Sequence, residues 1–238
     1  MEVRHGPSDV DAAWAECLRV LGPLTDEDRT VRAGSLTWTC AETAAHIGHD
    51  LLAYAGRPAA RPADAYLPMD LSVHPTATPA EILRVVTARA GLLGHALAAA
   101  DPGVRAWHWG PCDPGGFAAM GAAEILLHTH DITRGLSVDR RPPAAAGAAV
   151  TGRLFPDAPP GDAVDVLLRC TGRGDLDGFP HRDSWTWEAA RADRTPMRRV
   201  GRVSADGPRR RRACAPPRRP RVVRRRSSGT APPASPGP

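Results

Sequence analysis

Three residues of metal-binding type stand in helical sequence: His46 in one amphipathic segment, and Glu124 and His128 in a later one. Glu124 is the only acidic residue between Asp113 and Asp131, among Gly, Phe, Ala, Met, Ile and Leu. Burying a lone carboxylate in such a run costs several kcal/mol unless something pairs with it. The i, i+4 spacing puts Glu124 and His128 on one helix face, one turn apart. A divalent ion with His46 as third ligand resolves that cost and supplies a chemistry. Catalytic zinc takes three protein ligands and keeps one position for water or substrate, and two histidines with one glutamate meet that count. Asp131, three residues past His128, is placed to orient a ligating imidazole as hydrogen-bond acceptor. Spacing alone leaves an alternative open. E-x-x-x-H pairs occur on ordinary helices, and Glu124–His128 then reads as an ion pair with His46 an unrelated surface residue. His49, His95, His108 and His130 read as ordinary histidines; His130 points about 200° away from His128 on a helical wheel.

Four amphipathic helices position these residues. The first runs from about Ser8 to Leu21, with Val10, Trp14, Cys17 and Leu21 at helical spacing, Ser8-x-x-Asp11 as its cap and Gly22-Pro23 as its stop. The second follows Trp38, opens on the capping box Thr39-x-x-Glu42, buries Ala44, Ile47, Leu51 and Tyr54, and is expected to end at Gly56 and Pro58. His46 falls on its more polar side, with Glu42, His49 and Ala53. The third opens at Thr78-Pro79-Ala80-Glu81 and buries Ile82, Val86, Leu93 and Leu97. The fourth runs from about Phe117 to Arg134, with Glu124 in line with Phe117, Met120 and Leu127 and so facing inward. The expected fold is all-α, a four-helix bundle in residues 1–140. A short appendage over 141–189 has helices near Ala144–Phe155 and Asp162–Cys170, and Trp185 and Trp187 lie in a strand or an extended segment packing on the bundle. The long connections from Gly56 to Thr78 and from Pro102 to Gly116 are candidates for carrying binding residues.

The whole-chain charge of +5 averages two unlike parts. Residues 189–238 hold 15 of the 31 basic residues, all Arg, and two of the 26 acidic ones, so they carry +13 and residues 1–188 carry −8. The tail is Arg, Pro, Ala, Gly and Ser with almost no large apolar residue, and is expected to be disordered over 190–238. Lys, Asn and Gln are absent from the chain, which points to GC-rich coding DNA. Out-of-frame reading of such DNA yields this tail composition, so the tail is expected to be a frameshifted reading. The alternative is a polycationic arm. Nucleic acid is not the expected partner, because the tail has no aromatic residues for base stacking and its host domain is acidic. No run of 18 apolar residues and no apolar signal core are present, and the five cysteines show no C-x-x-C. The expectation is a cytoplasmic protein with no membrane span and no disulfide framework.

Two segments carry a resemblance. Trp38-x-x-x-Glu42-Thr43-Ala44-Ala45-His46-Ile47 and Gly121-Ala122-Ala123-Glu124-Ile125-Leu126-Leu127-His128-Thr129-His130-Asp131-Ile132 resemble the signature segments of the metal-binding N-terminal domain of mycothiol-dependent maleylpyruvate isomerases, in the DinB-like superfamily of four-helix metalloproteins. The resemblance covers roughly residues 8–137. It implies a divalent metal, usually zinc, on His46, Glu124 and His128, and mycothiol as a thiol co-substrate. The activated thiol would attack a small electrophile, with thiol transfer or cis–trans isomerisation as outcomes. Leu154-Phe155-Pro156-Asp157, the stretch through Thr171-Gly172-Arg173, and Trp185-x-Trp187 resemble the ending of short actinobacterial members, which lack the larger C-terminal domain of the isomerase proper. Arg134 and the two long connections are candidates for holding an anionic substrate. The rival class is a non-enzymatic helical metalloprotein with a structural or sensory zinc, closed by a fourth ligand for which Asp50 and His49 are the local candidates.

Overall fold

A computed structural model describes residues 5–69 and 72–190. The Arg-rich segment from 191 onward, with the disorder and frameshift expected of it, lies outside the described residues. Six α-helices and one two-stranded hairpin are present among the described residues, so the chain is mainly helical, as expected.

Helix α1, Pro7–Leu21, starts one residue before the sequence places it. Pro7 fits the first helical position, and the Gly6 N–H donates to Asp9 Oδ2 at 2.7 Å, so Ser8-x-x-Asp11 is not the cap. Helices α2, Cys40–Ala60, and α3, Pro79–Ala99, open on the expected capping boxes. Glu42 Oε2 accepts from Thr39 N at 2.9 Å, and Glu81 Oε2 accepts from Thr78 N at 2.8 Å. The stop expected at Gly56–Pro58 is passed: Pro58 lies inside α2, which ends at Arg61 in the left-handed region with φ 51°. A proline so near the end withholds one N–H from a helix with little left to bond.

Helix α4, Pro114–Gly135, begins three residues before Phe117, because Asp113 caps it by accepting from Gly116 N at 2.6 Å. Every residue from Gly116 to Thr133 is buried. It is therefore no amphipathic stripe but a helix enclosed on all sides, which its small and apolar residues permit. A Cβ on Gly121 would stand 2.7 Å from Leu93 Cδ2, so glycine sets how closely α3 approaches α4. Among the long helices, α2 packs on α3 and α4, and α1 packs on α3 and α4. Length and composition alone would let α3 cross a membrane; here Ile82, Val86, Ala90, Leu93 and Leu97 belong to this core. Leu93 is fully buried, and Leu93→Ala is expected to cost about 2–5 kcal/mol. A fall in denaturation midpoint at unchanged slope checks this.

Helix α5, Ala144–Leu154, packs on α4, and α6, Ala163–Cys170, packs on α5. Trp185 and Trp187 lie in irregular extended chain rather than a strand, their rings 5.2 Å apart. That chain is tied down where Glu188 N–H donates to Leu154 O at 2.9 Å and Arg153 Nη2 donates to Ala189 O at 2.7 Å. The connection from α3 to α4 holds the hairpin, β1 (Ala106–Trp107) paired antiparallel with β2 (Pro111–Cys112). Its turn uses Trp109 at φ 55° and Gly110 at φ 148°. Arg57 Nη1 donates to Trp107 O at 2.9 Å and docks the hairpin on the end of α2.

Candidate metal centre

Helix α2 brings His46 to the pair on α4. One ligand atom from each of His46, Glu124 and His128 lies within 4.8 Å of the others. Glu124 is 7 % exposed and His128 is 6 % exposed, while His46 is half-buried and opens the site toward solvent. The His46 and His128 rings meet edge to face at 5.2 Å, and Trp38 tilts over His46 at 4.5 Å. The polar side of α2 thus lines the centre.

Each oxygen of Glu124 has its own partner. Oε2 stands 3.1 Å from His128 Nε2, and Oε1 accepts from the Tyr54 hydroxyl at 3.1 Å. On the far side of the imidazole, His128 Nδ1 stands 3.0 Å from Asp131 Oδ2. Burial opposes charge on His128, but the hydrogen bonds and charges of Asp131 and Glu124 outweigh it and lift its pKa to about 9. Burial also opposes charge on Glu124, yet its bonds to His128 and Asp50 and the charge of His46 hold its carboxyl well below the usual range. Asp50 moves the other way: burial and the neighbouring Glu124 charge raise it, although His46 Nε2 lies 3.1 Å from its Oδ2. The two neighbouring carboxyls thus shift in opposite directions, Asp50 up and Glu124 down.

Two nitrogens and one carboxylate oxygen converging in a largely desolvated wall form a donor set that suits zinc and similar divalent ions. Without an ion, protonated His128 is the counter-charge to Glu124. The ion-pair and metal readings therefore describe the same residues in two states. Among the described residues four thiols are present, Cys17, Cys40, Cys112 and Cys170, all buried. Burial pushes Cys17 up to about 11 and Cys112 up to about 12, so neither supplies a thiolate at neutral pH.

The four histidines read as ordinary are not among the three convergent donors. His95 is exposed and bonds Gly91 O within its own helix. His130 is buried, with Nδ1 3.3 Å from Arg140 O. His49 lies beside His46, ring centroids 6.2 Å apart. His108, from the hairpin, packs on Tyr54 at 5.8 Å, and burial and the Arg57 charge lower its pKa to about 4. A cleft of about 280 Å³ lies beside it, between Trp109 and residues 186–190, and none of the three convergent residues lines it. Arg134 is exposed in the last turn of α4. The arginine that reaches the centre is Arg173, whose Nη2 donates to Asp131 Oδ2 at 2.8 Å. Arg173 and the Tyr54 bond to Glu124 have no signature in the spacing. Asp50 had one, lying one turn past His46.

The family model described as mycothiol maleylpyruvate isomerase N-terminal domain matches residues 10–133. The chain belongs to that family. As a member of the mycothiol maleylpyruvate isomerase N-terminal domain family it is of a metal-binding kind, and the resemblance read from the two segments is confirmed. The match runs from α1 to the end of α4 and contains His46, Glu124, His128 and Asp131. No curated protein and no solved structure matches the chain.

Proposed function

We propose that this chain is a metal-dependent enzyme that uses a low-molecular-weight thiol, mycothiol, against a small electrophile, with zinc held by His46, Glu124 and His128. The observation that carries the proposal is the meeting of those three donors between α2 and α4, in a family named for mycothiol chemistry. The domain that does this is residues 1–140, a DinB-like four-helix bundle of α1 to α4, with 141–189 as its appendage and the cytoplasm as its place.

A zinc ion there supplies a Lewis acid that lowers the pKa of a thiol brought to it. The chain's own residues do the rest. Tyr54 fixes Glu124 through Oε1 and leaves Oε2 to face the centre. Asp131 accepts from His128 Nδ1, which selects the tautomer with the lone pair on Nε2. Trp38 and Tyr54 exclude water from two sides, and half-buried His46 marks the side from which a small molecule enters. Burial makes Cys17 and Cys112 poor nucleophiles, which supports a thiol supplied by a small molecule. Thiol transfer, or addition followed by cis–trans isomerisation, are the outcomes open to such a site.

Cobalt-substituted protein tests the reading. Millimolar mycothiol is expected to add a thiolate charge-transfer band to the cobalt spectrum, and the metal-free protein is expected to bind no thiol. An unchanged cobalt spectrum would overturn thiol activation. One observation favours a second reading, a structural or sensory ion: Asp50 stands 3.1 Å from His46 Nε2 and is the side chain placed to close a fourth position. In that case Asp50→Ala opens the cobalt site to thiol where the wild-type protein stays closed.

A further inference from the structure

The family match stops at residue 133, and Arg173 lies beyond it, past α5 and α6. Its place is set by how α6 ends. Thr171 N–H returns to Leu167 O at 3.1 Å and Arg173 N–H to Leu168 O at 2.8 Å. Between them Gly172 sits at φ 66°, the left-handed residue of a helix-ending turn. A Cβ at this position would stand 2.7 Å from Arg182 O, so only glycine fits. The turn sends Arg173 back against α4.

There the guanidinium forks onto Asp131: Nε donates to Oδ1 at 2.9 Å and Nη2 donates to Oδ2 at 2.8 Å. Nη1 donates to Thr171 O at 3.1 Å, and the Trp185 ring lies 5.9 Å from the guanidinium carbon. Both side chains are nearly buried, at 8 % and 3 % exposure. The same Asp131 Oδ2 stands 3.0 Å from His128 Nδ1. A bidentate clamp fixes the plane of a carboxylate as well as its charge. It leaves Asp131 one orientation in which to receive the imidazole N–H.

We propose that Arg173 is a positioning residue of the metal centre, acting through Asp131 to hold the His128 ring with Nε2 turned to the ion. This rests on reading His46, Glu124 and His128 as the metal site. It makes the segment after residue 140 part of the centre rather than an accessory to it. A partner bonded directly to a ligand, as Asp131 is, typically contributes about 10–100-fold to metal affinity, and Arg173, one step further out, acts through that contribution.

The test is zinc affinity, by chelator competition on the full chain, together with the cobalt absorption spectrum. Arg173→Met is expected to weaken zinc by about 10-fold, the low end of the range for a group bonded directly to a ligand, and to shift the cobalt bands while far-UV circular dichroism is unchanged. Arg173→Lys keeps the charge but loses the fork, and is expected to fall in between. In an Asp131→Asn background, either Arg173 substitution should change affinity by less than about twofold, because the path runs through Asp131. A helical Arg173→Met protein with wild-type affinity and spectrum overturns the proposal. An equal loss in the Asp131→Asn background overturns it too, since Arg173 then acts by another route. If Arg173→Met does not fold, the Arg173→Lys and Asp131→Asn pair decides by the same comparison. Wild-type protein that binds no zinc removes the metal reading itself, whereas wild-type affinity in the Arg173 variants removes only the role of Arg173.

Discussion

Alanine at His46, Glu124 or His128 is expected to take the purified protein from about one divalent ion per chain to a small residue of that, as measured by elemental analysis after dialysis. Each substitution removes one of the three donors that lie within 4.8 Å of each other, and two donors hold a labile ion poorly. His95→Ala and His130→Ala are expected to keep the ion, since the first is exposed on α3 and the second faces Arg140. The three losses should differ in their effect on the fold. His128→Ala strands Glu124 in the core without the cation 3.1 Å from its Oε2, and removing one partner of a buried pair costs about 3–5 kcal/mol. His46 is half-buried, so its loss should touch metal content far more than melting. Equal metal content in all five variants would remove these residues from the centre.

Metal binding is expected to release close to one proton per ion near pH 7, because His128 Nε2 must lose its proton before it can ligate. With its pKa raised to about 9 by Asp131 and Glu124 against the pull of burial, His128 is charged at neutral pH in the metal-free protein. Apparent zinc affinity should climb about tenfold per pH unit until pH passes that value. Calorimetry in two buffers of different ionisation enthalpy reads the proton directly. The same shift sets the stability of the metal-free protein. A group whose folded pKa is raised contributes stability that is complete below its unfolded value of about 6.5 and is lost as pH rises through the folded value. Glu124 is lowered, so its share is complete above about 4.5 and is lost as pH falls toward the lowered value. Melting in a chelator should therefore be highest between about pH 4.5 and 6.5 and fall toward pH 9. Zinc-loaded protein should lack that alkaline decline. A flat metal-free profile from pH 6 to 9, or binding without proton release, would contradict a charged His128.

The sequence located the helices where local chemistry decides them. Thr39 with Glu42 and Thr78 with Glu81 announce two starts by side chains that bond their own first turns. The end of α2 was missed because Pro58 forbids a hydrogen bond, not a helix, and two more residues fit before Arg61 turns. Glu124 and His128 were legible through their spacing, and His46 as the third donor that a zinc site needs, a place the resemblance also gave it. The inward direction of Glu124 was inferred from a line of apolar residues, an inference α4 does not need, since it is buried on every side. Asp131 was legible as a neighbour of His128. Arg173, which holds it, was not, because periodicity describes a helix face and says nothing of which distant turn will fold against it. Tyr54 was read as core, and it is 5 % exposed; its hydroxyl, not its ring, is what meets Glu124.

The enclosure of α4 bears on how such proteins can diverge. A helix with no outward side has no idle positions: from Gly116 to Thr133 any exchange is felt by a neighbour, and at Gly121 even one methyl group is. New substrate preferences in descendants of this chain would accordingly arise outside it. The exposed stretch over residues 61–69 and the exposed hairpin tip at Trp109 have room to vary. The chemistry would be inherited through the enclosed helix, and the choice of what it acts on rewritten at the rim.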